Sequence, residues 1–150
     1  MKLLIVDDDD IIRLVIRNIA IEENLGFDTI EEAENGEEAI IKSMQLQPDI
    51  IITDIRMPGV DGLAFIEQTR SSLPDSKFII LSGYDDFNYA QKAIKFGVCE
   101  YLLKPYSREE MVSLLKNYIS IINDEKAIKE RKQNMTKFFN SNYSVLNEKQ

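Results

Sequence analysis

The alternation of short β-branched runs with amphipathic segments is the feature that most restricts the fold of this sequence. Five such runs predict strands, at Lys2–Val6, Phe27–Ala33, Asp49–Thr53, Lys77–Ser82 and Glu100–Leu103. Helical periodicity follows each run, over Ile11–Glu23, Gly36–Gln45, Gly62–Ser71, Asp86–Phe96 and Arg108–Ile122. Successive βα units predict a doubly wound α/β fold, with a five-stranded parallel sheet that carries helices on both faces.

The polarity of the runs indicates where the strands lie in that sheet. Leu3–Val6, Ile50–Ile52 and Phe78–Leu81 are almost continuously apolar, which is typical of strands covered on both faces. The second run contains Glu31 and Glu32 and is therefore predicted to lie at an edge.

Composition changes near residue 122. Residues 1–122 contain all the βα units and are predicted to form one domain. Residues 123–150 are rich in Asn, Lys and Gln, and we predict a helical or partly disordered linker there. An apolar column at intervals of seven predicts that the last helix continues into the linker: Leu114, Ile121, Ile128 and Met135. The companion column contains Glu125 and Lys132, whereas a stable coiled coil needs both columns apolar.

The charge of the chain argues against direct binding to nucleic acid. The net charge is −8, and residues 1–122 hold 12 basic against 22 acidic side chains. Phosphate backbones are bound by Lys and Arg, so a segment this acidic is a poor ligand for DNA or RNA. Since no apolar run approaches the ~20 residues that span a bilayer, we expect no membrane association.

Two residue types are scarce in a way that excludes whole classes of mechanism. The chain contains no histidine, which excludes Ser-His and Cys-His catalysis and assigns any phosphohistidine in its chemistry to a partner. Its single cysteine, Cys99, excludes an internal disulfide, and we expect a reducing, cytoplasmic location.

Polar residues lie at, or directly after, the carboxyl ends of four of the predicted strands. They are Asp7 and Asp8, Asp54, Ser82 and Lys104. In an open α/β sheet, ligands bind beyond the carboxyl ends of the strands, so we expect these side chains to converge. Taken singly, each has a structural explanation as a helix cap, a turn residue or a solvated strand end. Their joint placement favours a site.

The convergent side chains suggest phosphoryl chemistry. Clustered carboxylates repel one another unless a cation joins them, and an all-oxygen ligand set suits Mg²⁺. A carboxylate can attack phosphorus to form an acyl phosphate, and Asp54 is the natural nucleophile. Asp7 and Asp8 are then candidate metal ligands. Lys104 would hold the phosphoryl group, to which the hydroxyl of Ser82 would donate a hydrogen bond.

The motifs at these strand ends resemble those of response-regulator receiver domains. The likeness rests on Ile5–Asp8, Asp54–Gly62, Leu81–Gly83 and Tyr101–Pro105, and it covers about residues 1–122. The resemblance implies a flavodoxin-like sheet with strand order 2-1-3-4-5. It also implies that a sensor histidine kinase phosphorylates Asp54 from its own phosphohistidine, in a Mg²⁺-dependent reaction. Such a chain is a phosphoacceptor signalling domain with only self-phosphorylation and self-dephosphorylation chemistry, not an enzyme.

The resemblance also implies a role for each site residue. Mg²⁺ is held by Asp8, Asp54 and the backbone carbonyl of Arg56, with Asp7 completing the acidic pocket partly through a metal-bound water. Ser82 and Lys104 contact the phosphoryl oxygens. Tyr101 is the aromatic switch residue that turns inward when Ser82 moves, and the Lys104–Pro105 bond is cis.

A closer likeness, to receivers fused to AraC-type DNA-binding domains, implies that the output is control of transcription. This likeness rests on Ser82–Ala90 and Gly97–Pro105. Because residues 123–150 offer no recognition helix with a basic face, DNA would be reached only through an effector domain missing from this chain. We expect phosphorylation to switch the face formed by Asp86–Phe96 and Glu100–Ile122, and a phosphorylation-dependent homodimer to form there.

Other classes fit the sequence less well. A haloacid-dehalogenase-like phosphatase needs a second Asp two residues after the nucleophile, where this chain has Arg56. A flavodoxin-like cofactor binder needs a phosphate-binding loop after the first strand, where four aspartates would repel phosphate. A degenerate receiver would lack one of the site residues, and none is missing. A stand-alone receiver that acts in a phosphorelay or by protein–protein interaction stays open as an alternative.

Overall fold

A five-stranded parallel sheet organises the protein. The computed structural model describes residues 1–83, 86, 88, 89, 91 and 99–148. Its strands are β1 (Lys2–Val6), β2 (Thr29–Ala33), β3 (Ile50–Asp54), β4 (Lys77–Ser82) and β5 (Cys99–Leu103). They lie in the order β2-β1-β3-β4-β5, and each neighbouring pair is parallel. The α/β fold and the flavodoxin-like strand order are therefore confirmed.

The helices begin where the sequence offers side-chain caps. They are α1 (Asp10–Glu22), α2 (Gly36–Leu46), α3 (Gly62–Thr69) and a C-terminal helix (Arg108–Glu148). Asp9, Asn35 and Asp61 each accept a hydrogen bond from a backbone amide in the first turn of α1, α2 and α3 respectively. The third helix was predicted to reach Ser71, but after Thr69 the chain tightens into a 3₁₀ turn at Arg70–Ser72. The predicted helix at Asp86–Phe96 falls mostly outside the described residues.

Burial follows the polarity of the strands. Side chains of β1, β3 and β4 fill the core, and Leu3, Ile51 and Ile80 are among those with no exposed surface. Phe65 of α3 packs edge-on against Phe78 of β4, with ring centroids 6.1 Å apart. The outer strand β2 is only partly covered, as its acidic residues predict. The three buried strands are thus held from both faces, and their carboxyl ends have fixed positions.

The chain separates into two compact units, Met1–Lys116 and Asn117–Gln150. The C-terminal helix continues as far as Glu148, so a helix is described for most of the predicted linker. The division into a domain at 1–122 and a linker at 123–150 stays a prediction. Among the described residues, no helix combines the length and the apolar character that crossing a bilayer requires.

Candidate functional site

The carboxyl ends of β1 and β3 bring three aspartates together. Asp7 and Asp8 follow β1 directly, and Asp54 is the last residue of β3. Each of the three offers a carboxylate oxygen that lies within 4.8 Å of the other two. The convergence expected from the strand ends is therefore present in the folded chain.

Asp7 is the most deeply buried member of this cluster, with 1% of its surface exposed. Its Oδ1 accepts a hydrogen bond from the Asp9 amide at 2.9 Å, whereas its buried Oδ2 has no partner among the described residues. The pKa of Asp7 is raised from 3.8 to about 6, chiefly by burial and also by the charges of Asp54 and Asp8, while the Asp9 amide and the Lys104 charge oppose the shift. An unpaired buried carboxylate oxygen is the feature that a bound cation would satisfy.

Asp54 is partly buried and is held by two donors on the same oxygen. Its Oδ1 accepts from the Ile55 amide at 3.0 Å and from Lys104 Nζ at 3.3 Å. Burial raises the pKa of this carboxyl group, and the Lys104 ammonium opposes that shift. About 14% of the Asp54 side chain remains exposed, so a reactant can reach it.

Ser82 and Lys104 are joined across β4 and the end of β5. The Lys104 amide donates to the Ser82 carbonyl at 2.7 Å, which holds the two residues beside each other. Ser82 has no exposed surface, and within the described ranges its Oγ has no hydrogen-bond partner. Buried hydroxyls are normally paired, so this one is available to a group that enters the pocket. The Lys104–Pro105 bond is cis, the isomer that the resemblance implies.

Two further predicted residues lie on β5 and in the loop after β3. Tyr101 lies on β5 and packs, partly buried, against the hydrophobic core. Arg56 lies two residues after Asp54, and its Nε donates to the carboxylate of the buried Asp86. Nothing in the geometry tests the metal-ligand role of the Arg56 carbonyl or the switching role of Tyr101, and both stay predictions.

Sequence reasoning missed two features of the site. Tyr106 is half-buried near the pocket, and its pKa is raised by burial and by the charges of Asp7 and Asp54. In the sequence, its position two residues after Lys104 is the only indication that it lies near the pocket. The second is Asp61, a member of the Asp54–Gly62 motif, whose Oδ1 caps α3 while its Oδ2 accepts from the Tyr89 hydroxyl at 2.8 Å. With the Arg56–Asp86 pair, this contact joins the loop before α3 to the segment after β4.

The donor set fits a hard divalent cation. The oxygens of Asp7, Asp8 and Asp54 are the ligand type that Mg²⁺ prefers, and carboxylates this close repel one another without a cation. The unpaired Asp7 oxygen supports the same conclusion. These three residues would hold the metal.

Curated proteins are similar to this chain over most of its length. Residues 3–116 match the family described as response regulator receiver domain. The uncharacterised transcriptional regulatory protein YesN of Bacillus subtilis is 43% identical over 119 residues, which cover 79% of this chain and 32% of YesN. The chemotaxis protein CheY of Listeria monocytogenes is 36% identical over 116 residues, which cover 77% of this chain and 96% of CheY. The chain spans between 32% and 51% of the length of the first three curated relatives.

Solved structures share the fold. The receiver domain of AraT, a response regulator from Geobacillus stearothermophilus, superposes with a TM-score of 0.77 at 35% identity, covering 83% of this chain and 97% of that domain. A two-component transcriptional regulator AraC from Clostridium phytofermentans gives 0.78 at 33% identity, with coverage of 85% and 98%. The strand order, the acidic pocket and these matches show that the chain belongs to the response regulator receiver family.

Proposed function

We propose that Asp54 accepts a phosphoryl group from the phosphohistidine of a sensor histidine kinase, in a Mg²⁺-dependent reaction. The observation that carries this proposal is one pocket in which Asp7, Asp8 and Asp54 cluster beside Lys104. The unpaired, buried Ser82 hydroxyl at the neighbouring strand end supports it, because nothing within the described chain uses that hydroxyl.

The reaction assigns a separate task to each side chain. An Asp54 carboxylate oxygen forms a bond to phosphorus, the bond between phosphorus and the histidine nitrogen breaks, and the released imidazole takes up a proton. Lys104, 3.3 Å from Asp54 Oδ1, neutralises charge on the phosphoryl oxygens, and Ser82 donates a hydrogen bond to one of them. A metal held by Asp7, Asp8 and Asp54, with the Arg56 carbonyl, would supply further charge neutralisation when bound.

Ser82 and Tyr101 would transmit the phosphorylation state of Asp54 to the surface of the domain. A phosphoryl group adds charge and strong acceptor oxygens, which draw in the Ser82 hydroxyl and let Tyr101 turn inward. We propose that this change switches the face containing Asp86–Phe96 and β5, through which a phosphorylated homodimer forms. Most of Asp86–Phe96 lies outside the described residues, so this step rests on the family resemblance.

The phosphoacceptor proposal is tested by intact mass. After incubation with acetyl phosphate and Mg²⁺, the parent chain is expected to gain the mass of one phosphoryl group, because Asp54 is its nucleophile. Asp54→Asn retains the shape of the side chain but not its nucleophilic carboxylate, and no gain is expected. Addition of EDTA should suppress the gain in the parent. A gain in Asp54→Asn equal to that of the parent would contradict the assignment.

The proposed output is control of transcription through a DNA-binding domain outside this chain. Relatives named as transcriptional regulators, YesN among them, support this output. The reaction then takes place in the cytoplasm, where a regulator reaches DNA. A stand-alone receiver that acts in a phosphorelay or through another protein is the second candidate, and it is supported by CheY, nearly all of which the chain covers.

The kinase would dock beside the pocket on α1. Ile11, Leu14 and Val15 lie in the first two turns of this helix, close in sequence to Asp7 and Asp8, and are 70%, 54% and 48% exposed. Exposed apolar patches mark sites of protein–protein interaction, and this one lies near the start of the helix that follows Asp7 and Asp8.

Ile11→Ser is expected to slow phosphotransfer from a kinase about tenfold, because burial of the Ile11 side chain against the partner contributes about 1.4 kcal/mol. The rate is measured with the autophosphorylated core of a histidine kinase selected for transfer to the parent chain. Ile21→Ser is the matched control, since Ile21 is also exposed on α1 but lies ~15 Å further along it. Equal slowing by both variants, or slowing with acetyl phosphate as donor, would contradict a docking role.

A further inference from the structure

We propose that Arg13 is a positioning residue of the acidic pocket, which holds the turn between β1 and α1 so that the carboxylates of Asp7 and Asp8 meet that of Asp54. This inference rests on the proposed function, because it concerns the same cation site. Arg13 belongs to α1, and no motif that identifies the pocket includes it.

The contacts of Arg13 span the turn. The residue is only 9% exposed, although a guanidinium is normally solvated. Its Nη1 donates to the Asp7 carbonyl at 2.5 Å, and its Nη2 pairs with the Asp10 carboxylate on the other side of the turn. Its Nε donates to Glu32 Oε1 at 3.1 Å. One side chain thereby joins both ends of the Asp7–Asp10 turn to β2.

Glu32 is a rigid anchor for this arrangement. It lies on β2 in register with Ile5 of β1, so it belongs to the same sheet as the pocket. Its Oε2 accepts from Arg17 Nε at 2.7 Å, and its backbone carbonyl accepts from the Lys42 ammonium. Because Glu32 is held from three sides, the guanidinium of Arg13 is held as well.

The turn needs this support because the backbone hydrogen bonds to the sheet end at Asp7. The Asp7 amide still bonds to the Ala33 carbonyl at 3.1 Å, but β1 has ended and the Asp7 carbonyl bonds instead to Arg13. That carbonyl belongs to the peptide that connects Asp7 to Asp8. Fixing it orients both carboxylates, which would otherwise move apart because they repel each other and Asp54.

A lysine at position 13 could not make the same three contacts. The planar guanidinium presents donors in fixed directions, and Arg13 uses three nitrogens on three acceptors at once. An ammonium on a lysine stem is a single point of charge. It cannot reach the Asp7 carbonyl, Asp10 and Glu32 with the same geometry.

Arg17 provides a matched control. Its Nε pairs with the same Glu32, and its Nη2 donates to the Ile30 carbonyl at 2.9 Å. It is on the same helix, one turn further on, and no described contact joins it to the Asp7–Asp10 turn. Arg17→Met should therefore remove one ion pair of Glu32 while the Arg13 contacts to the Asp7 carbonyl and to Asp10 remain, so its effect on the pocket should be much smaller.

The test measures the Mg²⁺ dissociation constant of the full chain, with Mg²⁺ itself as the probe. The chain has no tryptophan, and Tyr106 is half-buried beside the pocket, so tyrosine fluorescence reports the titration. Arg13→Met is expected to weaken Mg²⁺ binding about tenfold or more, the range found when partners behind metal ligands are removed. Arg17→Met is expected to stay within about twofold of the parent.

Arg13→Lys keeps the positive charge and serves as a second variant in case Arg13→Met does not fold. It is expected to weaken Mg²⁺ binding by about threefold or more. Equal Mg²⁺ dissociation constants for the parent and the folded Arg13 variants would overturn the positioning role, as would an equal loss in Arg17→Met. A parent chain that binds no Mg²⁺ would overturn the proposed function along with it. The parent thus tests the function, and the ratio between variants tests the inference.

Discussion

Gly62→Ala is expected to lower the free energy of unfolding by about 3 kcal/mol and to abolish phosphorylation of Asp54 in whatever fraction remains folded. Gly62 is the first residue of α3, and its amide donates to the Ile55 carbonyl at 2.8 Å. A Cβ at this position would lie 2.1 Å from the Asp54 carbonyl oxygen and 3.0 Å from the Ile55 Cα. Both obstacles are backbone, so no side-chain rotation relieves the overlap. The end of β3, which carries the proposed phosphoacceptor Asp54, would have to move.

Urea unfolding followed by circular dichroism measures this loss, and intact mass after acetyl phosphate treatment measures the effect on the site. Gly83→Ala is the control, because a Cβ there would approach the Asp86 carboxylate at an ordinary 3.9 Å. We expect Gly83→Ala to stay within about 1 kcal/mol of the parent. Gly62→Ala with parental stability would show that β3 and α3 can separate without strain, contrary to this account.

The sheet was predictable from sequence because hydrophobic periodicity depends on local residues. The apolar runs at β1, β3 and β4 and the polar run at β2 placed buried and edge strands correctly. The strand order came from family resemblance alone, since periodicity does not encode which strands are neighbours. The limits of the third helix were less predictable, because its tight last turn depends on how Arg70–Ser72 packs.

The members of the site were predictable, but their environments were not. Asp7, Asp8, Asp54, Ser82 and Lys104 stand at strand ends, and strand ends can be read from the sequence. The unpaired oxygens of Asp7 and Ser82 and the span of contacts made by the Arg13 guanidinium depend on tertiary packing. A sequence shows which residues follow a strand. It does not show which polar atoms the folded chain leaves without a partner.

Asp7→Asn is expected to raise the free energy of unfolding by about 3 kcal/mol at pH 7.5 in the absence of divalent cations. Burial raises the pKa of Asp7 from 3.8 to about 6, and a difference of about two pH units corresponds to about 3 kcal/mol. The buried carboxylate is therefore a source of instability that the uncharged asparagine removes. The side-chain oxygen of the introduced asparagine can still accept from the Asp9 amide, so that hydrogen bond is kept.

The pH dependence of this gain follows from the direction of the shift. Below pH 3.8 the Asp7 carboxyl group is protonated in the folded and unfolded chains alike, and its raised folded pKa contributes full stability relative to neutral pH. That contribution is lost as pH rises through about 6, where the folded chain must ionise a buried group. The advantage of Asp7→Asn over the parent should therefore be largest above pH 7 and should shrink toward pH 4. Urea unfolding of the parent and of Asp7→Asn, in EDTA at pH 7.5 and at pH 4, measures this difference in stability.

Mg²⁺ should reverse the order of stability, because the charge that destabilises the empty pocket is the charge that binds the cation. At 1,000 times its dissociation constant, a ligand stabilises the folded state by about 4.1 kcal/mol, which exceeds the advantage of the variant in EDTA, and the variant, lacking the Asp7 charge, should gain far less. Asp9→Asn is the matched control: it also removes one negative charge, but from an exposed cap where Asn serves as well as Asp, and a change within about 0.5 kcal/mol is expected. If Asp7→Asn proved less stable than the parent in EDTA at pH 7.5, the buried carboxylate would be satisfied by the protein itself. Neutralising the Asp7 charge would then not favour cation binding to the pocket.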